Sequence, residues 1–128
     1  MLQAAEYDAV VSITHQFPAY RSAVPAAPDA RPDAAADQAA HDVLLALYPS
    51  MQSPLDAQLT GELAALPGSA GTQDGVAVGA AAARRIVALR AGDGSSEVSP
   101  PFVAGTDPGA YRPTRRSSRR RCSPPGEG

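Results

Sequence analysis

At 128 residues, with a formal charge of −2, no lysine and a single cysteine, the chain has room for one small domain; it excludes chemistry that needs a lysine amine, and any disulfide within the chain. Alanine supplies most of the apolar residues and only four tyrosines and two phenylalanines are aromatic, so any core is thin, alanine-lined and marginal in stability. The charge is divided, with a net −7 over residues 1–110 and +5 over residues 111–128, as if two different segments had been joined.

The opening LQAAEYDAVVSIT places Leu2, Ala5, Ala9 and Ile13 near one helical face, beside Val10, and predicts a helix that starts at Met1 without a cap. Residues His15 to Asp29 carry three prolines and no periodicity, which predicts an extended linker crossing the surface. A second helix is expected from Pro32, a residue suited to the first turn, with Asp33 and Asp37 near the positive end of its dipole. Its apolar stripe is Ala36, Ala40, Val43, Leu44 and Leu47, and Pro49 ends it.

Ser53 is the expected cap of a third helix, with Pro54 at its first position and Leu55, Leu59, Leu63 and Leu66 making the cleanest amphipathic stripe in the chain. A fourth is expected from a Thr72 cap to a Gly92 stop. It presents Val76, Gly79, Ala83, Ile86 and Leu89 as a narrow small-residue face, with Arg84, Arg85 and Arg90 near its negative end. Short connections among the last three helices predict antiparallel neighbours, the third and fourth burying their stripes against each other. The N-terminus has no basic segment and carries Glu6 where a signal peptide would be apolar, while the longest apolar run, Val76 to Ala83, is too short to span a bilayer. A soluble chain is expected; its localisation is left unassigned, the cytoplasm standing only as the default.

The stretches that carry chemistry elsewhere fall short here. His41 and Asp42 form an HD pair, but a metal needs more ligands, and the only other histidine, His15, falls in the linker. GDGSSE at residues 92–97 lacks the alternating ligands of an EF-hand and reads as a capping turn. Ser12 near His15 has no third group to orient an imidazole. PGSAGTQDG at residues 67–75 fits neither phosphate-loop spacing and reads as a turn between helices, and the carboxylates form no evident pair. No catalytic, cofactor-binding or metal-binding residue is therefore assigned.

Arg115, Arg116, Arg119, Arg120 and Arg121 crowd the C-terminal tail together with Cys122. Flexible arginines neutralise phosphates, which makes nucleic acid or an acidic partner one reading. No aromatic residue follows Tyr111 to stack on bases, however, and the acidic body repels phosphate, so a solvated disordered tail is the simpler expectation.

Four stretches in order carry a family resemblance: Tyr7-Asp8-Ala9 in the first helix, Ala39 to Pro49 in the second, the helix end Leu89 to Ser95, and the turn Pro108 to Thr114. Over residues 2–114 the chain resembles the N-terminal helical region of bacterial vanadium-dependent haloperoxidase-like proteins, within the type 2 phosphatidic acid phosphatase superfamily. The resemblance implies a helical bundle with a vanadate or phosphate pocket that oxidises halide with peroxide or forms a phosphohistidine. The family's pocket motifs are Lys-x6-Arg-Pro, Pro-Ser-Gly-His and Ser-Arg-x5-His-x3-Asp; this sequence contains none of them, and neither His15 nor His41 stands in such a motif.

The expected architecture is all-α: about four helices forming part of a larger bundle. Residues 1–92 are the partial bundle, 93–114 a loop matching the family, and 115–128 a disordered Arg-rich tail read as frame-shifted, because proline codons read one base out of register become arginine codons. The expected function is that of a non-catalytic N-terminal fragment of a vanadium-dependent haloperoxidase or acid phosphatase-like protein, with vanadate implied only for the intact relative. The alternative is a small helical interaction protein whose tail binds nucleic acid or an acidic partner. Two checks on the tail separate these readings. A frame-shifted tail predicts the missing histidine motifs in another frame of the downstream DNA; a binding tail predicts a mobility shift with nucleic acid at low salt that disappears when residues 115–128 are deleted.

Overall fold

The computed structural model describes residues 1–21, 23–94, 97–98 and 106–109. The described residues form four α-helices and no strand: α1 (Leu2–Thr14), α2 (Pro32–Leu47), α3 (Gln52–Ala64) and α4 (Ala70–Arg90), with a 3₁₀ turn at Pro49–Met51 leading into α3. Residues 1–96 make one compact unit. In the second, residues 97–128, the described positions include a turn at Asp107–Gly109 with Gly109 in the left-handed region (φ 86°). The arginines at 115, 116, 119, 120 and 121, Cys122 and the Tyr111 to Thr114 part of the family-like turn lie outside the described residues.

Helix boundaries follow the punctuation in the sequence, with local shifts. α1 ends where His15 takes the left-handed conformation (φ 53°) and its N–H reaches Val11 O at 2.9 Å, a backbone cap. α3 starts directly from the 3₁₀ turn, so Ser53 lies inside the helix and caps nothing. α4 begins earlier than expected: Ser69 is its N-cap, accepting from the Thr72 N–H at 3.4 Å, while the Thr72 hydroxyl donates to Pro67 O at 2.6 Å. At the other end Ala91 is the C-cap, and the left-handed glycine is Gly94 (φ 78°), not Gly92.

The core joins six alanines, Ala5, Ala9, Ala35, Ala39, Ala82 and Ala83, to Val24, Val43, Val78 and Ile86. It lies among α1, α2 and α4. Such small side chains fill space only if the backbones come close, and glycine makes that possible. Gly71, Gly75 and Gly79 recur every fourth residue along one face of α4. A Cβ on Gly71 would run into the Asp29 carbonyl; on Gly75, into the Arg31 carbonyl with the Ala34 Cβ at 3.0 Å; on Gly79, into the Ala35 carbonyl with the Gln38 Cβ at 3.0 Å. The contacts ascend together in number, so α2 and α4 run parallel, and Arg31 N–H donates to Gly71 O (2.9 Å) at the shared N-terminal end.

Two packing expectations are overturned. α3 does not pair with α4: it packs mainly along α2, and none of its residues is buried. Leu55, Leu59, Leu63 and Leu66 do share a half-buried face, but branched side chains cannot enter the close approach that the Gly/Ala face of α4 needs, and Ala34, Ala35 and Ala39 of α2 fill that place. The α2 core face is accordingly rotated to Ala34, Ala35, Ala39 and Val43, leaving Leu47 exposed; on α4 it is Gly75, Val78, Gly79, Ala82, Ala83 and Ile86, with Leu89 exposed. The linker also does more than cross the surface, since Val24 and Ala30 are buried.

The same substitution should therefore have opposite signs at two helical glycines. Gly61→Ala in α3, with nothing within 4 Å of the new Cβ, should stabilise by about 1 kcal/mol through helix propensity. Gly79→Ala should destabilise by about 1–3 kcal/mol, because a backbone carbonyl cannot yield as a side chain can. Urea denaturation followed by circular dichroism measures both, and a stabilising Gly79→Ala would contradict the close approach.

Candidate functional site

Polar chemistry concentrates at two places, one between α1 and the linker and one between α2 and α3. In the first, Asp8 and Ser12 lie one turn apart on the buried face of α1. The Asp8 carboxylate accepts from Tyr20 N at 2.6 Å and from Arg21 N at 3.2 Å. Ser12 Oγ donates to Asp8 O at 2.6 Å and accepts from Val24 N at 2.8 Å. The Tyr7 hydroxyl donates to Pro18 O at 3.0 Å. The linker thus doubles back to Tyr7 and then runs beside α1 in the same direction, its backbone N–H groups satisfied by side chains in place of a helix or sheet. Arg85 of α4 adds a bond from Nη1 to Ala23 O at 2.7 Å.

Ser12 is fully buried and committed on both its donor and acceptor sides, so it is a clasp and not a nucleophile. His15, exposed, closes α1 through its backbone. Beside the clasp, Tyr7, Pro18, Ala19, Tyr20, Gln3 and Ala4 line an open apolar cleft of about 520 Å³. Its lining offers only phenol and amide groups, so what it can take is apolar or aromatic surface.

The second place is the seam where α3 descends antiparallel to α2. His41 Nδ1 stands 2.9 Å from Asp42 Oδ1 and its Nε2 stands 2.8 Å from Asp56 Oδ1 on α3. Gln38 Nε2 donates to the same Asp42 oxygen at 2.7 Å. The HD pair read from the sequence is therefore real as a contact, and the partner that reading missed is Asp56, fifteen residues on and brought near only by the α2–α3 hairpin.

Burial opposes charge on the imidazole, but hydrogen bonds and charge from Asp42 and Asp56 outweigh it and raise its pKa above the ordinary value. In the same crevice the Asp37 carboxyl is pushed up, first by burial and then by repulsion from Glu62, Asp33 and Glu6. At the α2 N-terminus Asp33 pairs with Arg31, whose hydrogen bond holds the Asp33 carboxyl below its usual range.

Vanadate does not fit this seam. The crevice beside His41 encloses about 30 Å³, space for about two waters. Asp37, Asp42, Asp56 and Glu62 surround the imidazole with negative charge that repels an oxyanion. Nor do the described residues bring three or more His, Cys, Asp or Glu side chains into a group able to hold a metal ion. What the seam can do is hold a proton between carboxylates of two helices. No helix among the described residues is long and apolar enough to cross a membrane. The chain matches no family model, no curated protein and no solved structure.

The Ser12 hydroxyl carries the clasp. Ser12→Ala leaves the Val24 N–H buried without a partner, which should cost about 1–3 kcal/mol. It should also speed chymotrypsin cleavage after Tyr20 as the linker loosens. Unchanged stability and cleavage would show that the linker is held by other contacts.

Proposed function

We propose that the chain is a non-catalytic helical module of the vanadium-dependent haloperoxidase and acid phosphatase-like kind, whose work is to pack against a catalytic bundle. That bundle supplies the vanadate or phosphate pocket and its Lys-x6-Arg-Pro, Pro-Ser-Gly-His and Ser-Arg-x5-His-x3-Asp residues. The supporting observation is the outer surface of the parallel pair α2 and α4. Toward their C-terminal ends Leu45, Ala46, Ala83 and Val87, with Asp42 and Arg84 at the rim, line a concavity of about 360 Å³. Leu47 and Leu89 near the same helix ends are 45% and 41% exposed. A groove between two helices that offers branched apolar side chains is the shape into which a further helix packs ridge-into-groove. The four stretches of family resemblance, in their family order, fit the same reading.

The test uses the full chain and its Leu47→Glu/Leu89→Glu variant. The variant should unfold within about 0.5 kcal/mol of the parent, since both positions face solvent, while binding less of a hydrophobic dye. Neither protein should turn over bromide with peroxide and vanadate, or a phosphate monoester. Turnover above a heat-inactivated control would contradict a non-catalytic module. A loss of several kcal/mol in the variant would place those leucines in the chain's own core.

A further inference from the structure

We propose that His41 is a pH-sensitive latch that clasps α3 to α2 when protonated and releases it when neutral. The geometry carries this. Both ring nitrogens lie within hydrogen-bond distance of carboxylate oxygens, 2.9 Å to Asp42 and 2.8 Å to Asp56. A carboxylate only accepts, and a neutral imidazole has one N–H; both contacts are satisfied together only by the imidazolium. Loss of the proton sets a lone pair against one carboxylate.

Asp56 is the contact that gives way. Asp42 adjoins His41 on the same helix and is also held by Gln38, whereas the Asp56 side chain is 50% exposed and can return to water. α3 has little else to keep it in place: it has no buried residue, and it packs mainly along α2. The charged groups facing His41 are acidic, Asp37 and Asp42 from α2 and Asp56 and Glu62 from α3. Arg84 of α4 borders Asp42 from the neighbouring concavity.

The raised imidazole pKa agrees in sign. Stability from the latch is fully present below the ordinary value of 6.5 and is lost as pH rises through the higher folded value. Release uncovers Ala40 and Leu44 on α2 together with Leu55 and Leu59 on α3, which line the seam. The latch does not rest on the haloperoxidase-like reading and stands or falls apart from it.

Amide hydrogen exchange of the full chain at about pH 5.5 and about pH 8, corrected for intrinsic rates, tests it. α3 amides should lose protection about threefold or more at the higher pH, while α1, α2 and α4 stay protected. His41→Gln cannot titrate and should abolish the pH dependence whatever it does to stability. Asp56→Asn, whose amide can serve a neutral imidazole, should keep α3 equally protected at both values. A His41 proton that titrates by NMR at or below the ordinary value, or a pH response that survives in His41→Gln, would overturn the latch.

Discussion

The contact on which the rest of this unit depends is the approach of α4 to α2 along Gly71, Gly75 and Gly79. Each glycine costs helix stability, about 1 kcal/mol in an interior position, so three on one face are tolerated only because something is gained. Where a Cβ would stand, each presents a hydrogen to a carbonyl oxygen of Asp29, Arg31 or Ala35. Such Cα–H···O contacts contribute about 0.5–1 kcal/mol apiece. The larger gain is geometric: with the backbones this close, Ala34, Ala35, Ala39, Ala82 and Ala83 become buried, and Val43, Val78 and Ile86 suffice to complete the space between the two helices.

From that pairing the remaining elements take their places. Parallel α2 and α4 require a return path, and α3 supplies it as an antiparallel strut on the outside of α2. Because α3 serves connection more than core, it is held by half-buried leucines and by His41, which is why its attachment depends on a proton. α1 closes the alanine core, and its Asp8 and Ser12 tie down a linker whose prolines prevent regular structure. The fold is thus stiff along its glycine seam and loosely attached at α3.

The helices were legible because prolines and glycines punctuate them. Pro32, Pro49 and Pro67 bracket the spans, and the all-helical class followed from the periodicity between them. Pairing was not legible, because alanine faces resemble one another and give no preference for a partner. The strongest pattern, the α3 leucines, pointed to the wrong neighbour: periodicity shows that a face is covered, not what covers it. Gly71 and Gly75 looked like turn residues because their spacing matters only once a second backbone is known to lie beside them. At the seam, His41 and Asp42 were visible as neighbours, but Asp56 joins them only through tertiary structure. Asp8 and Ser12 left a faint sign, two polar residues a turn apart on an otherwise apolar face.

Backbone contact between α4 and α2 can be read from nuclear Overhauser effects in the labelled chain. The Gly79 Hα protons should show strong cross-peaks to Ala35 and to the Gln38 Cβ protons, and the Gly75 Hα protons to Arg31 and Ala34. If those cross-peaks are absent, and the glycine face of α4 instead meets Leu55 and Leu59 of α3, α4 does not pack on α2 through its glycines.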